Sequence, residues 1–295
     1  MTKAFLSPRE LAQAIGLSES SLKRWIDDGE LAVSRTAGGH RRIPLQEAVR
    51  FARSGKVAVR NAACLGLDVA VGAVAACHQP DDRLYRALFD GDAGQARALL
   101  QAAFVDGQNI AALCDGPLRC AMGRFCALLK EGEEGVAAHH VAVAICKQAL
   151  ESLRQLLPEP GAQAPAAIGA TWSDDPCALP SLMAAVTLAE CGWRTINLGP
   201  LTTCSVLRAA MIRHRPKLIW RTVTVIKDHV ATVKHIRRFA AELENVPLVV
   251  AGPALAQLAQ AGLCSSGNLH LAGSMGELSA FARGFLGLKA TRRRA

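Results

Sequence analysis

Residues 20–24 read Ser-Ser-Leu-Lys-Arg, and residues 35–42 read Arg-Thr-Ala-Gly-Gly-His-Arg-Arg. Hydroxyls and cationic groups along one helix face suit base edges and phosphates in a major groove. Ser20, Ser21, Lys23 and Arg24 form such a face, and Leu22, Trp25 and Ile26 form its apolar back. Arg35, His40, Arg41 and Arg42 suit the phosphate backbone. A second group is less basic. His139-His140 lies in an alanine- and valine-rich stretch, and Asp174-Asp175 and Cys177 lie within Trp172–Pro180. Imidazole, thiolate and carboxylate can ligate a metal or orient a cofactor. Each has a plainer reading. A histidine on an apolar helix face is more often a satisfied core residue, and adjacent residues point about 100° apart, which makes a poor chelating pair. Two Asp after a strand cap a turn as readily as they form an acid–base pair. A free cysteine is often simply buried.

These residues must be held by a chain of 295 residues, enough for two or three domains. Hydrophobic residues make up 51% but aromatics only 4%, an alanine- and leucine-rich balance that favours helices and excludes wholesale disorder. The net charge is +9, which points to a polyanionic partner. The first 60 residues hold eleven Lys or Arg against six acids, so over half of that charge sits in one fifth of the chain. The ten cysteines include no C-x-x-C pair, which favours reduced, buried thiols over a disulfide frame or zinc site. With no signal-peptide pattern and no apolar run of membrane-spanning length, a cytoplasmic protein without a membrane partner is expected. No G-x-G-x-x-G follows a strand, no Walker loop occurs and no catalytic triad or carboxylate pair stands out, so an enzyme is not expected.

Ser7, Pro8 and Glu10 form a capping-box pattern that starts a helix over Pro8–Ile15, closed by Gly16. Ser18 caps a second helix, Glu19–Asp28, closed by Gly29, which makes a helix-turn-helix with a recognition helix. Strand-like pieces flank Gly38-Gly39 as a wing, and Pro44 opens a helix over Leu45–Arg53. The expected domains are a winged helix-turn-helix at 1–56, a linker or short connecting helix at 57–80, a four-helix bundle at 81–157 and an α/β domain at 158–295. In the bundle, Leu84, Leu88, Ala96, Leu99, Leu100, Ala103 and Phe104 recur at helical spacing, with further helices over about 110–131 and 135–156. Beyond 166, strands and helices alternate, which means a doubly wound parallel sheet. Its strands are expected at Ala166–Thr171, Trp193–Leu198, Leu218–Val225, Pro247–Val250 and Leu269–Ala272. Ligands on such sheets sit at the carboxyl ends of the strands, here Trp172–Pro180, Thr222–Thr224 and Gly252.

The segment 4–55, through its helix-turn-helix, Trp25, the DGEL turn and RTAGGHRRI, resembles the winged helix-turn-helix of MerR-type regulators. That resemblance implies dimers on a palindromic double-stranded DNA operator. Winged helix, four-helix bundle and flavodoxin-like α/β domain in this order resemble the cobalamin-dependent, light-sensing CarH/LitR-type regulators over nearly the whole chain. In that family a W-x9-E-H motif in the bundle lies over the adenosyl face, and a D/E-x-H-x-x-G loop supplies the histidine below cobalt. Light cleaves the cobalt–carbon bond and a DNA-bound tetramer falls apart. Aligned on Lys130-Glu-Gly132, this chain has Leu129 at the Trp and His139-His140 at the Glu-His, so only His140 matches. Asp175 matches the second motif, Cys177 replaces its His and Pro180 its Gly. Thr222-Val-Thr224 and Ala251-Gly252 resemble the family's strand ends. The resemblance therefore implies a cofactor site at Leu129, His139, His140, Asp175, Cys177, Thr222, Thr224 and Gly252, without the lower imidazole or the aromatic cap. Adenosylcobalamin is disfavoured. The alternatives are a bilin attached through the Cys177 thiol, a haem with Cys177 or His140 as iron ligand, and a pocket filled by side chains.

The expected function is a DNA-binding transcription regulator whose C-terminal region controls oligomerisation and operator binding in response to light or a tetrapyrrole. A ligand-independent regulator is the alternative. A cobalamin-fold methyl-carrier module is a further one, and it lacks the axial histidine.

Overall fold

A computed structural model describes residues 3–57, 59–67 and 80–287. It divides into two compact units, Met1–Glu159 and Pro160–Ala295. In the first unit, helix α1 (Pro8–Ile15) starts with a complete capping box: the Glu10 backbone N–H donates to Ser7 Oγ at 3.2 Å, and the Ser7 N–H donates to Glu10 Oε2 at 2.7 Å. Gly16 closes it in the left-handed region at φ 70°. Helix α2 (Glu19–Asp27) starts at Ser18, whose Oγ accepts the Ser21 N–H at 3.1 Å. Leu22 is buried with Leu11, Leu31, Ile43 and Val49, whereas Trp25 and Ile26 are only half-buried. Trp25 tilts against Phe51 at 5.1 Å between ring centroids.

The expected wing is present as an antiparallel pair, β2 (Ser34–Arg35) and β3 (Arg41–Pro44), with Ser34 opposite Arg42 and Arg35 opposite Arg41. A further strand, β1 (Phe5–Leu6), pairs with the other edge of β3, Leu6 opposite Ile43. Two residues carry no periodicity, so only the fold reveals it. Helix α3 (Leu45–Phe51) ends two residues earlier than expected, where the chain widens into the turn Ala52–Lys56 with Gly55 at φ 79°. That turn carries Arg53, which joins the head to the bundle. Its guanidinium lies 3.7 Å over the Phe104 ring and donates to the carbonyls of Phe104 and Gln108. Most of the expected 57–80 linker lies outside the described residues. Its visible part returns to α1, where the N–H groups of Arg60 and Asn61 donate to the Ala14 carbonyl.

The bundle comprises α4 (Pro80–Phe89), α5 (Ala93–Val105), α6 (Ile110–Leu113), α7 (Arg119–Leu128) and α8 (Glu133–Arg154). One helix was expected over about 110–131. A widened turn over Cys114–Leu118 divides it, because Pro117 lies inside and has no N–H to donate. Leu84, Leu88, Ala96, Leu100 and Phe104 are buried, as their spacing predicts, and Leu99 and Ala103 are half-buried.

The second unit is a five-stranded parallel sheet with helices on both faces. Its strands are β4 (Ala166–Thr171), β5 (Arg194–Asn197), β6 (Leu218–Thr222), β7 (Leu248–Ala251) and β8 (Leu269–Ala272). The order β5-β4-β6-β7-β8 puts the switch point, where strand order reverses, between β4 and β6. Helices α9 (Ala178–Glu190) and α13 (Met275–Phe285) pack together on one face. Leu207 of α10 (Cys204–His214), Val233 and Ile236 of α11 (His229–Glu242) and Leu258 of α12 (Leu255–Gln260) join Ile168, Ile219 and Val250 in the core of the other. β6 stops at Thr222 rather than running to Val225, because the chain then turns to meet the loop after β4.

Candidate functional site

The head presents its basic groups outward. Ser20, Lys23 and Arg24 are exposed on α2, and Ser21 is half-buried. Lys23 pairs with Glu19 one turn away at 3.2 Å, while Arg24 has no ion-pair partner among the described residues. On the wing, Arg35, His40 and Arg42 are exposed. Arg41 behaves differently: it donates to Asp27 Oδ1 at 2.6 Å and so ties β3 to the end of α2. The four wing residues thus divide into three that face solvent and one that fixes the wing against the recognition helix. A capped helix and a pinned hairpin hold this cationic surface rigid, which suits a regularly spaced polyanion.

In the bundle, His139 Nε2 lies 4.0 Å from Cys126 Sγ of α7, and His139 Nδ1 is buried without a partner among the described residues. Burial pushes the His139 imidazole down, with His140 adding to the effect, and pushes the Cys126 thiol up. Both are therefore neutral in the folded state at pH 7. His140 and Leu129 are exposed, Leu129 by 42%. Cys126 was not anticipated. Its signal was a spacing of three residues, one helical turn, from Leu129.

At the switch point, Asp175 is completely buried. Its Oδ1 accepts the Cys177 N–H at 2.9 Å and its Oδ2 the Thr224 N–H at 2.5 Å. One carboxylate thus ties the loop after β4 to the end of β6. Cys177 is half-buried at the N-cap of α9. Gly252, at φ 115°, abuts the Val223 backbone, and a Cβ there would lie 2.5 Å from the Val223 carbonyl oxygen. Its glycine is required by packing of one strand end on the next. On the α9 face, Trp220 fills the space over Gly169, where an added Cβ would fall 2.2 Å from the indole, and donates its Nε1–H to Ser181 Oγ at 3.1 Å.

Sequence reasoning passed over Arg221. It sits between Trp220 and Thr222 on a strand buried at every position. A charge within such a run was the available signal, since strands of a parallel sheet are ordinarily apolar. Its Nη2 donates to the Thr202 carbonyl at 2.8 Å, its guanidinium lies 4.8 Å from the Trp172 ring, and Nε and Nη1 have no partner among the described residues. Thr222 Oγ1 and Thr224 Oγ1 are also buried without partners among the described residues.

Two segments of the chain match known families. Residues 5–56 match the family described as "Helix-turn-helix domain", and residues 81–154 match the one described as "B12 binding domain". No curated protein matches the chain. Among solved structures, a monomethylamine corrinoid protein of Methanosarcina barkeri shares the fold at 15% identity and a TM-score of 0.53, covering 70% of this chain and 98% of that one. A methanol:cobalamin methyltransferase complex of the same organism matches at 17% identity and a TM-score of 0.35, over 92% of this chain and 93% of that one. A cobalamin-binding protein from Desulfitobacterium hafniense matches at 14% and 0.33, over 71% and 99%. The last two are too distant in shape to carry an argument. The chain thus combines a helix-turn-helix head, a B12-type helical domain and a corrinoid-protein fold, the order the resemblance implied. No helix among the described residues is long and apolar enough to cross a membrane.

The strand-end loop does not fit a cobalamin held through a lower imidazole. The half-buried Cys177 thiol stands at the position the resemblance assigns to that ligand, both oxygens of Asp175 are occupied by backbone N–H groups, and Trp220 fills the space against Gly169 on the α9 face.

Proposed function

We propose that the protein is a non-catalytic transcription regulator that binds operator DNA through residues 1–56 and uses the remaining chain to sense a small molecule and set its oligomeric state. The observation that carries this reading is the exposed cationic surface of the head: Arg24, Arg35 and Arg42 serve no core contact or ion pair among the described residues. Lys23, Arg24, Ser20 and Ser21 enter the major groove, Arg35, His40 and Arg42 take phosphate, and Arg41 orients the wing. Arg53, stacked on Phe104, gives the bundle a direct hold on the head. Leu129, His139 and His140 are the bundle's own candidates for contact with a ligand, and Asp175, Cys177, Thr222, Thr224 and Gly252 those of the α/β unit. A tetrapyrrole other than adenosylcobalamin, a bilin or a haem, suits the half-buried Cys177 thiol. A ligand-independent regulator is the second reading, and the packing of Trp220 on Gly169 favours it.

Two measurements test the proposal. Gel shifts of the full chain on operator fragments selected from random duplexes should show salt-sensitive binding that Arg24→Ala weakens most on the selected sequence and Arg42→Ala weakens on every sequence. Equal binding by the variants would remove the DNA assignment. Absorption spectra after supply of haem, biliverdin or cobalamin should show a visible band, which Cys177→Ala abolishes if the thiol is the attachment. The absence of any band would favour the ligand-independent reading.

A further inference from the structure

Among the described residues, Arg221 is the cation with no part of its surface exposed. Nε and Nη1, which lack partners, carry three of the five guanidinium N–H bonds. It makes no ion pair with a described residue. The Cys204 side chain, and after it the Asp175 carboxylate, favour its charged form, but both Asp175 oxygens already accept backbone N–H groups. Burial pulls its pKa down to about 10, so it stays a cation at neutral pH. A buried cation with unanswered donors is strongly unfavourable unless an anion completes it.

The surroundings point the group at one place. Across the sheet, Arg221 is flanked by the short side chains of Ala170 of β4 and Val250 of β7. Its Nη2 donates to Thr202, the residue just before the Thr203 N-cap of α10. That eleven-residue helix spends the Val206 N–H on Thr203 Oγ1, and the N–H groups of Cys204 and Ser205 have no acceptor among the described residues. A fixed guanidinium and an open helix N-terminus therefore converge at the switch point of a doubly wound sheet.

We propose that this is an oxyanion site, in which a carboxylate or phosphoryl group sits between Arg221 and the first turn of α10. The covering loop supplies the way in. Leu201, 58% exposed, has φ 53°, a left-handed conformation uncommon for residues other than glycine, and its N–H donates to Thr171 Oγ1 and the Asp175 carbonyl, both at 3.1 Å. Swinging the loop about Gly199, at φ 82°, uncovers the guanidinium and releases that strain. The site is independent of the DNA-binding reading, because its occupancy is measured without DNA.

The test uses the full chain at constant ionic strength, with sodium chloride replaced stepwise by sodium phosphate or sodium succinate. Tryptophan fluorescence follows melting of the α/β unit, which holds Trp172, Trp193 and Trp220. The expected result is a Tm that climbs with the logarithm of anion concentration, together with a shift of the Arg221 Nε–H resonance in a 15N-arginine spectrum. A response to phosphate alone assigns a phosphoryl ligand, and one to succinate alone a carboxylate. Arg221→Met should raise the Tm in chloride and remove the response. Arg221→Lys, which keeps the charge but loses the fork, should weaken apparent binding at least tenfold. The proposal is overturned if neither anion moves the Tm or the resonance, or if either variant responds as the wild type does. The resonance reads the wild-type chain, so it decides the matter even where a variant fails to fold.

Discussion

Arg24, Arg35 and Arg42 of the head lie exposed with no ion-pair partner among the described residues, whereas Arg221 of the α/β unit is wholly enclosed and its side chain makes one hydrogen bond to a described residue. The same side chain is suited to opposite tasks. Exposed guanidinium groups remain hydrated in the free protein, and their attraction to a polyanion comes with counterion release, so it is long-ranged and salt-sensitive. A buried guanidinium is already stripped of water and held by Trp172 and Thr202. It suits a single small group and has little use for a long one. The head is thus organised around what is left open, and the switch point around what is locked.

The largest effect should come from the lock. Asp175→Ala removes two charge-assisted hydrogen bonds to backbone N–H groups, each worth about 1.5–3 kcal/mol, and takes a nearby negative charge from Arg221. Urea unfolding of the α/β unit should show a loss of about 3–5 kcal/mol. A loss under about 1 kcal/mol would mean the loop is held by other contacts and the contrast with the head is overstated.

On the exposed side, the Arg35→Ala, Arg42→Ala double variant should leave stability within about 0.5 kcal/mol of wild type. Its plot of log binding constant against log salt should be shallower by about 1.8, or about 0.9 per phosphate contact. An unchanged slope with weaker binding would assign both to base edges. Arg41→Ala sharpens the distinction, since it breaks the tie to Asp27 and should loosen the wing as well as binding.

Ser7→Ala should cost about 1 kcal/mol through the lost cap of α1, read by thermal unfolding of the head. The smallest effect is one of pH. The Lys3 ammonium and the Ser7 backbone and hydroxyl hold the Glu10 carboxyl down to about 2, below its ordinary 4.5. Because the folded value is the lower one, this stabilisation is complete above 4.5 and disappears as pH falls from there toward 2. Glu10→Gln should flatten that acid limb in a pH series of melting curves. A limb of equal steepness in the variant would place the acid sensitivity elsewhere.

Much of the head was legible along the chain. Capping boxes, glycine stops and a two-glycine hairpin are local signals, so α1, α2 and the wing appear nearly where expected. The strand β1 was not, because its two residues gain their partners only through β3. In the α/β unit, the alternation of strands and helices identified the doubly wound sheet and even the strand ends where Asp175, Thr222, Thr224 and Gly252 meet. It did not show what those residues do. The Asp175 carboxylate bonds to a backbone group 49 positions away, and Gly252 serves strand packing.

Periodicity, caps and charge clustering act over a few residues, and they carry the element order and the basic head. Which charges are open and which enclosed is a property of how distant segments pack. Arg41 and Arg42 are neighbours in sequence, yet one is bound to Asp27 and the other is exposed, because successive side chains on a strand point to opposite faces and only one face meets α2. Arg221 reads as one more basic residue until β4, β7 and the first turn of α10 close around it. Enclosure of that kind arises only when the whole sheet is assembled.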